Sequence, residues 1–241
     1  LGEKGSSARE KSVYYRGPAA GSEPEVQAMM ALAQRERPCA SISYHTGTVA
    51  ILAPYTIPEV KNPEPNEAWT VGEWLAARLP KHPQDREFTL KKNLYPVDGT
   101  DQDWLRHEFG TLALIVEGAR GGVRGGDERQ AIVRVVRNTW QLLFSRFLDG
   151  PSLSGRVVND AGQPLCAAIT LAEQTLHEGE VWTSRPRDGR FDRFLPAAGT
   201  YTVQAFVEGY EPVTQSVEVQ SGRLEIELVI AGAPSDSSSN L

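Results

Sequence analysis

The chain has 241 residues, 40% hydrophobic and 23% charged, enough apolar material for one large or two modest globular domains. Its formal net charge of −6 gives no electrostatic footprint for nucleic acid, and no run of about 18 apolar residues offers a transmembrane helix. Leu1 to Lys11 is polar and rich in glycine and serine, without the apolar stretch of a secretion signal, so the start reads as mature or truncated. Cys39 and Cys166 show no metal-ligand spacing; two buried free thiols are expected, with one disulfide as the alternative, and the compartment stays open.

From Val13 to Phe147 helical and strand patterns alternate, as in an α/β layered domain. Ser22-Glu23-Pro24-Glu25 reads as a capping box opening a helix over about 23–36, with Val26, Met29, Met30 and Ala33 as one buried stripe and Pro38 ending it. Cys39 to Tyr44 and Thr48 to Ala53 are short strand candidates, and a second helix is expected near Trp69 to Leu79. Tyr95 to Trp104 is rich in turn formers and reads as a loop. Leu112 to Val116 is a continuous β-prone run, typical of a strand buried on both faces. After the glycine-rich Gly118 to Gly126, a third helix is expected over about 127–148, with Ile132, Val133, Val136, Trp140, Leu143 and Phe147 inward. Beyond Asp149-Gly150-Pro151, seven short alternating strands (153–158, 166–172, 180–184, 190–195, 200–207, 213–219 and 223–230) with turns between them suggest a small β-sandwich. The serine-rich tail over 233–241 is expected to be disordered.

Three features carry possible chemistry. His45 ends a strand, where open α/β sheets bind ligands, and imidazole is the commonest nitrogen ligand of zinc. Glu117 ends the apolar run Leu112–Glu117, where partial desolvation raises a carboxylate's proton affinity and suits a general base. Tyr95 lies in a loop from which it can reach a substrate. Each has a bland counterpart: a structural or exposed histidine, a strand simply ending in water, a packing tyrosine.

Taken together they form a pattern. Tyr14 to Glu25 before a helix, His45 with Pro54-Tyr55 nine and ten residues later, then Tyr95, Gln102-Asp103-Trp104 and Glu117, resembles the zinc metallocarboxypeptidases. In that family a tyrosine precedes the catalytic glutamate by 22 residues, as Tyr95 precedes Glu117, and an aspartate-aromatic pair follows the tyrosine as Asp103-Trp104 does. Farther on, Gly155-Arg-Val-Val, Gly162-Gln-Pro-Leu, Asp188-Gly-Arg-Phe191, Gly199-Thr-Tyr-Thr-Val203 and Glu208-Gly-Tyr210 look like the transthyretin-like module that follows the catalytic domain in the carboxypeptidase N/E subfamily. The resemblance implies a mixed α/β sheet forming an incomplete carboxypeptidase-type domain over 1–150, then an all-β transthyretin-like sandwich over 151–232.

By the same resemblance, His45 is the third ligand of one zinc ion, and Glu117 is the base that deprotonates the zinc-bound water and returns the proton to the leaving amine. Tyr95 would close over the substrate carboxylate. Gln102 would line the pocket for the C-terminal side chain, with Leu94 and Ile115 as walls, and Pro54–Tyr55 is a candidate cis peptide. Thr56 stands where basic-specific members carry an aspartate, so basic specificity is not assigned. The family's first two zinc ligands, a His-x-x-Glu pair, and its substrate-binding arginines have no counterpart before Val13. Substitutes are not expected: His177-Glu-Gly-Glu180 reads as an exposed strand edge, His82 and His107 as surface, and Arg120 and Arg124 as flexible-loop residues without a P-loop ending.

The sequence therefore points to a metallocarboxypeptidase acting on the C-termini of peptides and proteins, inactive as this chain alone and completed by an N-terminal half or partner chain. Incomplete core contacts should leave an apolar face exposed. The alternative is a non-catalytic peptide- or protein-binding pseudoenzyme. Secretion or a periplasmic location is what the family suggests.

Overall fold

In the computed structural model, residues 5–57, 60, 62–64, 66–92, 94, 97, 99–123, 125–177 and 179–232 are described. A first helix, α1 (Pro24–Glu36), leads into the strands of one sheet: β1 (Ala40–His45), β2 (Val49–Leu52), then after α2 (Glu67–Ala76) a short β3 (Leu90–Lys91), and after α3 (Asp101–Phe109) the central β4 (Leu112–Gly118). The strand order is β1-β4-β2-β3, with β1–β4 and β2–β3 parallel and β2–β4 antiparallel, so the sheet is mixed. Every residue of β4 is buried. Because successive side chains of a strand face opposite sides, its residues divide into two sets. Leu112, Leu114 and Val116 join Val49 and Ile51 against Ala68, Val71 and Leu75 of α2. Ala113 packs on the other face with Leu105 and Phe109 of α3 and Ala33 of α1. Full burial of such side chains contributes about 1.5–3 kcal/mol each, so β4 fastens helical layers to both sides of the sheet.

The chain continues through α4 (Gly125–Val136) and α5 (Asn138–Asp149), then enters a β-rich region of six strands: β5 (Ser152–Asn159), β6 (Ala168–Leu171), β7 (Arg190–Phe194), β8 (Gly199–Phe206), β9 (Val213–Val219) and β10 (Arg223–Ile230). These form two three-stranded sheets, β10-β5-β7 and β6-β8-β9. Their inward residues, among them Leu153, Val157, Phe191, Leu228, Ile169, Tyr201, Val203 and Val217, meet in one apolar cluster. The region is bound to the first one: Phe194 of β7 stacks 5.0 Å from Phe147 of α5, and Arg146 donates to the carbonyls of Pro151 and Leu195 at 3.0 and 2.7 Å. No helix among the described residues is long and apolar enough to cross a membrane.

Several elements differ from the sequence reading. Glu23, not Ser22, is the N-cap of α1; Ser22 instead hydrogen-bonds the Glu23 side chain, and Pro24 supplies the pre-set first helical position. The stripe of α1 is largely exposed, with Met29 63% accessible and only Ala33 buried, because the helix meets the sheet through that one small residue. Helix α3 occupies what reads as loop. The Thr100 hydroxyl caps it by accepting from the Asp103 N–H at 3.2 Å, and Gly110 ends it in the left-handed region. The expected third helix is two. At the junction Asn138 takes the carbonyls of Arg134 and Val135 with its own amide, and Thr139 takes that of Val136, so side chains compete for the backbone acceptors. Val133 and Trp140 of that stretch are exposed rather than inward. Residues 180–184 make only an isolated bridge between Ala168 and Thr183, leaving six strands where seven are expected. The tail 233–241 lies outside the described residues.

Both cysteines are free; Cys166 is exposed, and burial pushes the Cys39 thiol up to about 11. At pH 8 a limiting amount of iodoacetamide should therefore alkylate Cys166 and spare Cys39, whose thiolate fraction is roughly one in a thousand; mass spectrometry showing equal labelling would contradict this. Gly110 has φ +66°, and a Cβ there would lie 2.3 Å from the Trp182 ring. Gly99, at φ +73°, has open space around it. Gly110→Ala should cost about 2–4 kcal/mol in urea denaturation and Gly99→Ala about 1–2 kcal/mol, the left-handed strain alone. Equal costs would show that Trp182 does not depend on the glycine.

Candidate functional site

The parallel register of β1 on β4 runs Ala40 to Leu112 and ends with His45 opposite Glu117. Neighbouring strands lie about 4.8 Å apart, so the two residues stand side by side at the same end and on the same face of the sheet. Ser41 and Ser43 of β1 and Ala113 and Ile115 of β4 share that face. Glu117 is 3% exposed, whereas His45 is exposed. The turn after β1 is held against the end of β4 by the Gly47 N–H, which donates to the Ala119 carbonyl at 2.8 Å. A Cβ at Gly47 would come within 3.4 Å of Glu117 Oε2, so the backbone passes close to the carboxylate.

From the other side, β2 places Ala50 opposite Glu117 and Leu52 opposite Ile115, and these apolar residues form a small buried cluster. Gln102, in the first turn of α3, donates from Nε2 to the Leu52 carbonyl at 3.2 Å, and its Oε1 has no hydrogen-bond partner among the described residues. Next to it, Asp103 receives the Thr56 N–H on both oxygens at 3.0 Å and the Thr56 hydroxyl at 2.6 Å. Burial raises the proton affinity of Asp103, against the opposing pull of the Thr56 bonds. Asp103 is thus committed to Thr56. Pro54–Tyr55 is a cis peptide. Leu94 is 39% exposed, Ile115 is buried, and Tyr95 and Arg124 lie outside the described residues.

Two residues from polar stretches that read as surface are buried, His82 and Glu180. His82 is 2% exposed: its Nδ1 accepts the Gln84 N–H at 3.2 Å, which puts the proton on Nε2, and Nε2 donates to the Gly118 carbonyl at 2.8 Å. The Gln84 side chain in turn clamps the Arg120 backbone through N–H to Oε1 at 2.8 Å and Nε2 to carbonyl at 3.3 Å. Together they pin the end of β4 just beyond Glu117. Glu180 is likewise buried, not a strand edge. It meets Tyr55 and lies 3.5 Å from Arg106 Nε, within ion-pair reach though not as a directed hydrogen bond. Arg106 also pairs with Glu67; burial alone would make the guanidinium easier to deprotonate, and these two carboxylates reverse that. His107 and Arg120 are on the surface, as the sequence suggests.

A catalytic zinc takes three protein ligands. Among the described residues no three His, Cys, Asp or Glu side chains lie together so as to hold a metal. One imidazole beside one carboxylate does not by itself fit the ion.

The edge of the sheet beside α5 carries a further feature. Trp140, Phe144 and Leu148 form an exposed i, i+4, i+8 stripe on α5. They border a groove of ≈ 550 Å³ whose other wall is β1 from Ala40 to Ile42, the edge strand of the sheet. This is an apolar face of the kind the sequence reading anticipates.

His82→Phe keeps an aromatic ring but deletes the donor to Gly118 and the acceptor of the Gln84 N–H. It should lower stability by about 1–3 kcal/mol, the cost of leaving a buried carbonyl unsatisfied. It should also speed amide exchange locally at Gly118 to Arg120; unchanged exchange there would show that His82 does not pin the strand end.

Comparison with known proteins follows the same lines. The model of the zinc carboxypeptidase family matches residues 1–141, which take in β1, β4 and α3 together with His45, Gln102 and Glu117. No curated protein matches the chain. The matched segment exceeds half of the sequence, and the chain belongs to the zinc carboxypeptidase family.

Proposed function

We propose that this chain is the part of a metallocarboxypeptidase that supplies one metal ligand, the proton-transfer carboxylate and the pocket for the C-terminal side chain of a peptide or protein substrate. The observation that carries this reading is the register that sets His45 opposite Glu117 at the sheet's end. In this reading His45 is a zinc ligand and the remaining ligands come from an N-terminal half or partner chain. Glu117, buried at the strand end, takes a proton from the attacking water and hands it to the departing amine. Tyr95 would hydrogen-bond the terminal carboxylate. Gln102, Ile115 and Leu94 would line the side-chain pocket; beside Gln102 the Asp103 carboxylate is held by Thr56, and basic specificity is not assigned. Residues 1–150 would be the C-terminal part of the catalytic domain and 151–232 a transthyretin-like sandwich; the two sheets sharing one apolar cluster support the latter.

A second reading is a binding module that has lost catalysis, favoured by the want of a metal-holding trio among the described residues. The two separate on one substitution. In the enzyme complete with its zinc ligands, Glu117→Gln should cut kcat by at least about a thousandfold, on the order of 4 kcal/mol, and leave zinc content intact. Normal turnover would remove Glu117 from the mechanism; absence of turnover and of zinc in the parent would favour the binding module. The 241 residues alone should show little or no peptidase activity, and robust zinc-dependent hydrolysis by them would refute the shared-ligand reading.

A further inference from the structure

One carboxylate from the β-rich region reaches into the first region between Tyr55 and helix α3, the helix that carries Gln102 of the proposed side-chain pocket. Glu180 side-chain exposure is 0%, and its two oxygens are used differently. Oε1 accepts the Tyr55 hydroxyl and lies 3.5 Å from Arg106 Nε. Oε2 accepts the N–H of His177 at 2.8 Å, which holds the 177–180 turn to its own carboxylate, and the His177 ring stands 5.5 Å from that of Tyr55. Tyr55 immediately precedes Thr56, and Arg106 lies one turn after Gln102 and Asp103 on α3. Thr56 and Asp103 are joined to each other by three hydrogen bonds. Glu180 therefore holds both ends of a closed circuit: Tyr55 to Thr56, Thr56 to Asp103, Asp103 along α3 to Arg106, and Arg106 back to Glu180.

The surroundings fix that circuit. Trp182, two residues beyond Glu180, has the guanidiniums of Arg106 and Arg193 over its ring, their carbons 4.5 and 5.2 Å from the centroid. Arg106 pairs with two buried glutamates, Glu67 and Glu180, and Arg193 feels the charge of Glu67. Removing one member of such a buried pair leaves an uncompensated charge.

We propose that Glu180 is a positioning residue for the substrate side-chain pocket, setting the segment Pro54–Thr56 against helix α3 from the β-rich region of the chain. The β-rich region is then a structural part of the pocket rather than an appendage. This inference rests on the proposed placement of Gln102 and Thr56 at the pocket, but its linkage is read without any turnover.

The test is residue-resolved amide exchange on the full chain and on Glu180→Ala and Tyr55→Phe. Glu180 does not touch the Thr56 N–H, which is bonded to Asp103, so a change there reports transmission through the circuit. In both variants Thr56 should exchange at least tenfold faster, with amides of β8 and β10 at parental rates. Parental exchange at Thr56 in folded Glu180→Ala would overturn the proposal, as would uniform acceleration that includes β8 and β10, which marks a merely structural role. Should Glu180→Ala fail to fold, Tyr55→Phe decides: acceleration confined to Thr56 and α3 supports the proposal and its absence overturns it. A complete enzyme without activity would fail the peptidase reading and leave this exchange result as it stands.

Discussion

The pairing of β1 with β4 is the constraint from which the rest of the site follows. Side chains alternate along a strand, so a slip of one residue would put either His45 or Glu117 on the far side of the sheet. The observed register is locked by burial: β4 is buried throughout, and Leu112, Leu114 and Val116 must face α2 and α5 if they are to leave water. That requirement sends Ala113, Ile115 and Glu117 to the opposite face. The hydrophobic pattern that folds the strand is therefore also what delivers the carboxylate. His82 and Gln84 finish the placement by holding the backbone beyond Glu117 from a loop that contributes nothing to the sheet.

A second constraint joins the two regions of the chain. Arg106, Arg193, Glu67 and Glu180 are buried together around Trp182, and burial brings Arg193 down to about 10. Desolvating four charges is costly, and losing one partner of such a pair typically costs 3–5 kcal/mol, roughly a third or more of a domain's whole stability. A hydrophobic cluster of similar volume would hold the regions together at lower cost. What the charged groups add is a specific pair of links from Glu180: a hydrogen bond from the Tyr55 hydroxyl and an ion pair with Arg106 of α3.

The central strand is legible as a continuous apolar run, and the first helix and most strands of the β-rich region from periodicity, because their apolar residues recur at the spacing of the element. Helix α3 is hidden by its own caps: Thr100, Asp101, Asp103 and Gly110 are turn formers by composition, yet Thr100 with Asp103 three residues on is also a helix start. The break at Asn138 is invisible to an apolar period that continues across it. Glu180 and His82 are missed for another reason. Polar residues in polar stretches read as surface, and only the three-dimensional pairing of Glu180 with Tyr55, 125 residues away, or of His82 with Gly118, 36 residues away, shows why they can be buried. The strand ends that carry His45 and Glu117, by contrast, are marked in sequence; the adjacency of the two residues requires the register.

The account stands on His45 and Glu117 facing one shared space. Paramagnetic Co²⁺ titrated into the 241-residue chain and followed by amide resonances tests this directly. Even weak binding at His45 should broaden Ser43–Gly47 and Val116–Ala119 first and in parallel. Broadening of only one of these segments, or first broadening around His107 or His177, would contradict it.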